Sequence, residues 1–204
     1  MGKKIFIYID NSIHVIYHSE GPGLNGEALL DGVTIKDGYA SVGGEPENYG
    51  GGIGNIGSSP KFSNAIITGN WACIEGAMYN DCSSPTMYKV NIRTNSAIIC
   101  AGIYNINHSS PLMINVNISD NSAEGGGAIV NVNSSPQLVN ATISNNHGGG
   151  IDNTGSNPVL INSIITGNSA SLSEGGIYNL NSSPALTIVT ISGNSASSRG
   201  RRVI

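Results

Sequence analysis

The apolar residues of this chain stand at fixed distances from a recurring turn. Ser-Ser-Pro, or a close variant, places proline at 60, 85, 111, 136, 158 and 184, at intervals of 25, 26, 25, 22 and 26 residues. Two residues after each proline is a large apolar side chain: Phe62, Met87, Met113, Leu138, Leu160 and Leu186. Seven after each is isoleucine: Ile67, Ile92, Ile118, Ile143, Ile165 and Ile191. Ten after each is asparagine: Asn70, Asn95, Asn121, Asn146, Asn168 and Asn194. Upstream of each proline a second block, small-small-apolar-x-Asn, reads GGIGN at 51–55, GAMYN at 76–80, AGIYN at 101–105, GAIVN at 127–131, GGIDN at 149–153 and GGIYN at 175–179. Self-similarity at such a period marks a solenoid, and it outranks any local reading.

Within each unit the apolar residues alternate over short β-rich runs bounded by Gly, Asn, Ser and Pro, which predicts strand, turn, strand, turn. No window has the three-to-four-residue spacing of a helix, and Gly and Asn are poor helix formers. A leucine-rich repeat of similar period would need a Leu-dominated frame and a helical half, whereas Ile dominates here. The expected fold is therefore all-β, a right-handed parallel β-helix. Its coils stack about 4.8 Å apart, with the Ile column and the Phe/Met/Leu column in the core. The Asn columns are expected to form amide ladders that satisfy polar groups otherwise costly to bury. The organisation predicted is an irregular N-terminal part with one degenerate coil over 1–49, six coils over 50–196 and a non-repeat tail over 197–204. Within the first part, LDGVTIKDG at 30–38 superposes on FSNAIITGN at 62–70, IFIYI at 5–9 and IHVIY at 13–17 read as strands, and 39–49 as a polar loop. Both ends read as cuts through a longer array, with open edges that invite strand addition.

Composition changes this picture little. Gly, Ser and Asn are abundant enough to suggest low complexity, but the 28 isoleucines sit among them at regular places. Charged residues are 11% of the chain and the net charge is −4, which is no footprint for nucleic acid or an anionic membrane. The basic residues Arg199, Arg201 and Arg202 cluster only at the C-terminal end. No stretch approaches the roughly 20 apolar residues of a membrane span. The opening MGKKIFIYIDNS is short, alternating and broken by Asp10, so it reads as a strand and not as a signal peptide. Three cysteines, Cys73, Cys82 and Cys100, exclude a full disulfide framework, leaving buried thiols or one inter-coil bridge.

Catalytic carboxylates for glycoside hydrolysis stand about 5–9.5 Å apart, which on a β-helix means the same or adjacent columns one or two coils apart. The position before the first-block Asn carries Gly54, Tyr79, Tyr104, Val130, Asp152 and Tyr178, with one acid. The position before the second Asn carries Gly69, Thr94, Asp120, Asn145, Gly167 and Gly193, again with one. Glu75 and Glu174 share a register but are four coils apart, about 19 Å at the rung spacing. No acid pair on neighbouring coils is therefore expected. A lyase would have to use Arg93 with Asp120 on the next coil, which reads more simply as a surface ion pair. His14 and His18 are about 13 Å apart on a strand, too far to chelate, and no metal or other cofactor is implied. Tyr79 and Tyr104 are expected to point outward on adjacent coils, either simply because Tyr favours strands or as platforms for sugar rings or a protein partner. Thr and Ser rows flank the Ile column, a pattern that would suit ice binding were it not interrupted by Ile66, Asn91, Arg93 and Ile164. Sequons at Asn107, Asn117, Asn133, Asn140 and Asn181 follow from composition alone.

The motifs Gly-Gly-Ala-Ile at 126–129 and Ile-Ser-Asp-Asn-Ser-Ala at 118–123 resemble the GGAI/FxxN repeats of bacterial polymorphic outer-membrane proteins, with Ile in place of the frequent Phe. The wider pattern, over roughly 28–196, resembles the right-handed β-helix repeat proteins of bacterial surfaces and secretions. The resemblance implies a surface-displayed or secreted, adhesin-like module, outer-membrane associated or extracellular, whose partners would be glycans or cell-surface proteins. The same superfold hosts pectate lyases and other polysaccharide-active enzymes, so a lyase or hydrolase is the alternative, and fold alone does not choose.

Overall fold

A computed structural model describes residues 14–18, 28–40, 50–171 and 174–197. IFIYI at 5–9, most of the 39–49 segment and the tail from 198 lie outside the described residues. Every strand pairing is parallel, and the strands stack into three seven-stranded sheets. Sheet 1 holds the strands from Ile16–His18 and Ile53–Ile56 through Met78–Asp81, Ile103–Ile106, Ile129–Val132 and Ile151–Thr154 to Ile177–Leu180. Sheet 2 follows each proline, from Leu29–Asp31 and Lys61–Ser63 to Ala185–Thr187. Sheet 3 carries the Ile column, from Thr34–Lys36 to Thr190–Ser192. A fourth, two-residue-wide ladder runs over Tyr39–Ala40, Trp71–Ala72, Ser96–Ala97 and Ser122–Ala123 and resumes at Ser169–Ala170 and Ser195–Ala196. The chain is an all-β parallel β-helix.

The register follows the repeat. Ile92 pairs with Ile118 and Ile118 with Ile143, and all three are fully buried. The degenerate first coil also fits: Leu30 pairs with Phe62 and Ile35 with Ile67. Phe62, Met87, Met113, Leu138 and Leu160 fill the core beside the Ile column. Burying each such side chain contributes about 1.5–3 kcal/mol. A parallel coil can bury its apolar face only against its neighbours, so stability grows by stacking. Leu186 and Ile191 of the last described coil remain 44% and 46% exposed, although they stand in the same columns.

Two asparagine ladders run the length of the interior. In one, Asn55 donates to Asn80, Asn80 to Asn105, Asn105 to Asn131, Asn131 to Asn153 and Asn153 to Asn179, at 2.8–2.9 Å. In the other, Asn70, Asn95, Asn121, Asn146, Asn168 and Asn194 are joined the same way at 2.9–3.0 Å. Each amide of this second ladder also turns back onto a strand carbonyl, as Asn121 does onto Ile92. The first Ser of Ser-Ser-Pro points inward, where Ser83, Ser109 and Ser156 accept from the backbone of the preceding coil. The second makes an outer ladder, in which Ser84 accepts from Ser110 and Ser110 from Ser135. The small residues before sheet 1 are required by close backbone approach, since a Cβ on Gly76 would lie 2.6 Å from the Ser96 carbonyl oxygen.

Candidate functional site

Between the fourth ladder and sheet 1, the described residues include extra segments over 73–76, 98–101 and 124–127. These segments make an outer ridge beside sheet 1. The 22-residue interval after Pro136 belongs to the coil that lacks one, where His147-Gly148-Gly149-Gly150 leads straight into the strand Ile151–Thr154. There His147 keeps the fourth ladder continuous through single bridges to Ser122 and Ser169.

Inside the ridge lies a row of protonatable groups. Glu75 is fully buried and bridged to Cys100 on the next coil. Neither Glu75 carboxyl oxygen has a hydrogen-bond partner. Burial pushes its carboxyl up to about 9. The Cys100 thiol is fully buried, donates to the Ile103 carbonyl at 3.3 Å and is pushed upward by burial and then by Glu75. Tyr104 is half-buried and raised to about 12, again by burial and then by Glu75.

Two coils on from Tyr104 the register position is Asp152. Asp152 is half-buried on the outer face of sheet 1, with Oδ1 buried and unpartnered. Its carboxyl is raised to about 7 by burial and then by the charge of Glu174. Glu174 lies in the ridge segment of the next coil, four residues before Tyr178, the register partner of Asp152. The influence of Glu174 on Asp152 runs between columns, whereas the sequence expectation compared acids within single columns. The two acids belong to different columns, one on a strand and one in an inserted segment, so a search along single columns passes between them. The 22-residue interval was the available signal, because it removes the ridge from in front of Asp152.

The tyrosine expectation is corrected. Tyr79 and Tyr104 do stand side by side on the outer face, with ring centroids 6.2 Å apart, but Tyr79 is only 7% exposed. Gly50 closes on it from the preceding coil, where a Cβ would lie 3.1 Å from the Tyr79 Cβ, and its hydroxyl donates to Asp81. It offers no platform. Arg93 and Asp120 are both exposed and no ion pair joins them; Lys36–Asp37, at 2.8 Å, is an ion pair among the described residues. His14 bonds the Gly50 carbonyl and His18 bonds Asn55, so each belongs to the solenoid's hydrogen bonding. No disulfide joins Cys73, Cys82 and Cys100. No group of three metal-ligating side chains occurs among the described residues, and no helix among them is long and apolar enough to cross a membrane.

A different site lies at the corner between sheets 2 and 3. An outer asparagine ladder there runs from Asn162 to Asn140 to Asn115, at 2.7 and 3.1 Å, every member in the left-handed region. Asn tolerates that conformation better than other non-glycine residues. In the next coil the position is Ile188, held at φ 54° and 78% exposed. An isoleucine there is strained and cannot continue the ladder. A shallow pocket of about 260 Å³ opens where the ladder stops, lined by Asn140, Thr142, Asn162, Ile164, Ile188 and Thr190.

No family profile and no curated protein matches the chain. Among solved structures, a trypsin-treated variant of QnrB1, a plasmid-mediated fluoroquinolone resistance protein, aligns over 89% of this chain and 92% of its own at 11% identity, with a TM-score of 0.27. At that score the likeness carries no argument.

Proposed function

We propose that this chain is a non-enzymatic binding and structural module of a bacterial cell-surface or secreted protein, adhesin-like, that engages glycans through its lateral faces. The observation that carries this reading is the corner pocket. It presents amides from Asn140 and Asn162, hydroxyls from Thr142 and Thr190, and an apolar wall of Ile164 and Ile188, with no charged side chain in its lining. Neutral sugars match such a surface, with hydroxyls for the amides and a C–H face for the isoleucines. Repetition along the coils would add weak contacts into useful avidity.

A second reading rests on Asp152 and Glu174. Burial and then Glu174 raise the Asp152 carboxyl, and a carboxyl that keeps its proton near neutrality is one of the two that glycoside hydrolysis needs. It replaces Arg93 and Asp120 as the basis for an enzymatic alternative. One experiment separates the two. The protein is passed over a glycan array and incubated with a panel of polysaccharides while new reducing ends are followed. Retention that falls several-fold in Asn162→Ala and Thr190→Ala, without product, supports the binding module. Product that disappears in Asp152→Asn establishes the hydrolase instead. Neither retention nor product overturns both readings.

A further inference from the structure

The outer face of the fourth ladder changes character along the axis. Its inward residues are alanines, with Ala40, Ala72, Ala97 and Ala123 all buried. Its outward column reads Tyr39, Trp71, Ser96, Ser122, His147 and Ser169 in parallel register. Tyr39 and Trp71 stack on each other, with ring centroids 4.8 Å apart and 23° between their planes. Tyr39 stays 48% exposed within that stack, and Trp71 is half-buried. Tyr39 covers one face of the Trp71 ring. The rung on the other side carries only Ser96, and the rung after that Ser122. The next ring in the column is His147, three rungs or about 14 Å from Trp71. Its Nδ1 is hydrogen-bonded to Ser169, on the rung beyond. The column therefore holds a trough two rungs long, floored by two serine hydroxyls and ended by an indole face and an imidazole. Two residues before these serines stand Thr94 and Asp120, two residues after them Ile98 and Glu124, and all four are exposed.

We propose that this trough is a second glycan site, which takes a neutral pyranose oligosaccharide with one sugar ring stacked on Trp71 and its hydroxyls bonded to Ser96, Ser122 and Asp120. The chemistry of the lining selects that class. An indole offers a flat apolar face with a polar edge, which suits the C–H face of a sugar ring. The serine hydroxyls donate and accept, and the carboxylate accepts, so the ring's own hydroxyls find partners beneath it. A wholly apolar partner would leave those groups buried and unpaired, at a cost in free energy. Asp120 and Glu124 on the two sides of Ser122 place negative charge where a uronate or sulfated sugar would bring its own. Sheet 3 separates the trough from the corner pocket, and the inference rests, as the pocket does, on the reading of this chain as a glycan-binding module.

Trp71 is the single tryptophan of the chain, so its fluorescence reports on the trough and not on the corner pocket. The whole chain is titrated with cellohexaose, xylohexaose, maltohexaose and chitohexaose, and retention on the corresponding polymers is measured in parallel. At least one oligosaccharide is expected to change the Trp71 emission saturably. Trp71→Ala should weaken retention about tenfold. Ser96→Phe, which extends the ring stack into the trough, should abolish the fluorescence response with Trp71 still in place. Circular dichroism checks that both variants keep the sheet signal. Asn162→Ala should leave the fluorescence response unchanged. A Trp71 emission that stays constant across the panel overturns the trough; retention that then falls only in Asn162→Ala and Thr190→Ala leaves the corner pocket standing. A response that survives Ser96→Phe with an unchanged midpoint also overturns the trough. Neither response nor retention overturns both sites.

Discussion

The interior of this solenoid and the slot behind its ridge treat polar groups in opposite ways. Inside, Asn55 to Asn153 and Asn70 to Asn168 are buried yet paired at every rung. Outside the ladders, Glu75 and Asp152 together leave three carboxyl oxygens buried without a partner. The contrast shows what repetition can and cannot do. An amide has a donor and an acceptor, so identical residues stacked in register satisfy one another indefinitely. A carboxylate only accepts, and Glu75 meets a thiol where a second amide would have served. Repeated columns therefore stabilise, whereas a residue that occurs once in an inserted segment must keep its proton or leave.

Breaking the paired region should have the largest effect. Ile118→Asp puts an uncompensated charge in the middle of the core and should cost about 3–5 kcal/mol or prevent folding, read by urea and thermal unfolding. Next, Asn121→Ala removes bonds to Asn146 and Ile92 and takes from the Asn95 backbone N–H and side-chain amide the acceptor they share. Its cost should be about 2–3 kcal/mol by the same measurement. Changes in the slot should have the opposite sign. Glu75→Met removes two unpaired oxygens and should stabilise by about 1–3 kcal/mol near neutral pH. Asp152→Asn should have a smaller stabilising effect, present at pH 7 and absent at pH 4, because its carboxyl is only half-buried. Thr142→Asp, on the outer face of sheet 3, should fall within about 0.5 kcal/mol of the native chain.

The paired region was legible in the sequence and the slot was not, for a physical reason. Strand residues obey a period of two, so Ile118 inward and Thr142 outward follow from their offsets to proline. Stacking turns equal offsets into columns, which made the ladders of Asn105 and Asn121 readable before any coordinates. The segments 73–76 and 171–175 have no such period. Whether Glu75 faces water or a neighbour depends on how that segment packs, and Gly50 closes on Tyr79 against an outward expectation. Asp152 and Glu174 meet across columns, and only the 22-residue interval hinted that one coil differs from the rest.

The contrast between the two regions is tested most directly by stability as a function of pH. A group whose proton is held more tightly in the folded chain than in the unfolded one loses stability as pH rises between the two values. For Glu75 that window runs from 4.5 to about 9, and for Asp152 from 3.8 to about 7. Urea midpoints of the native chain should therefore be highest in mild acid and fall steadily toward pH 9, while the double variant Glu75→Met, Asp152→Asn shows a nearly level profile. A native chain whose stability is flat or rises from pH 5 to 9, or a double variant with the native slope, would contradict the account.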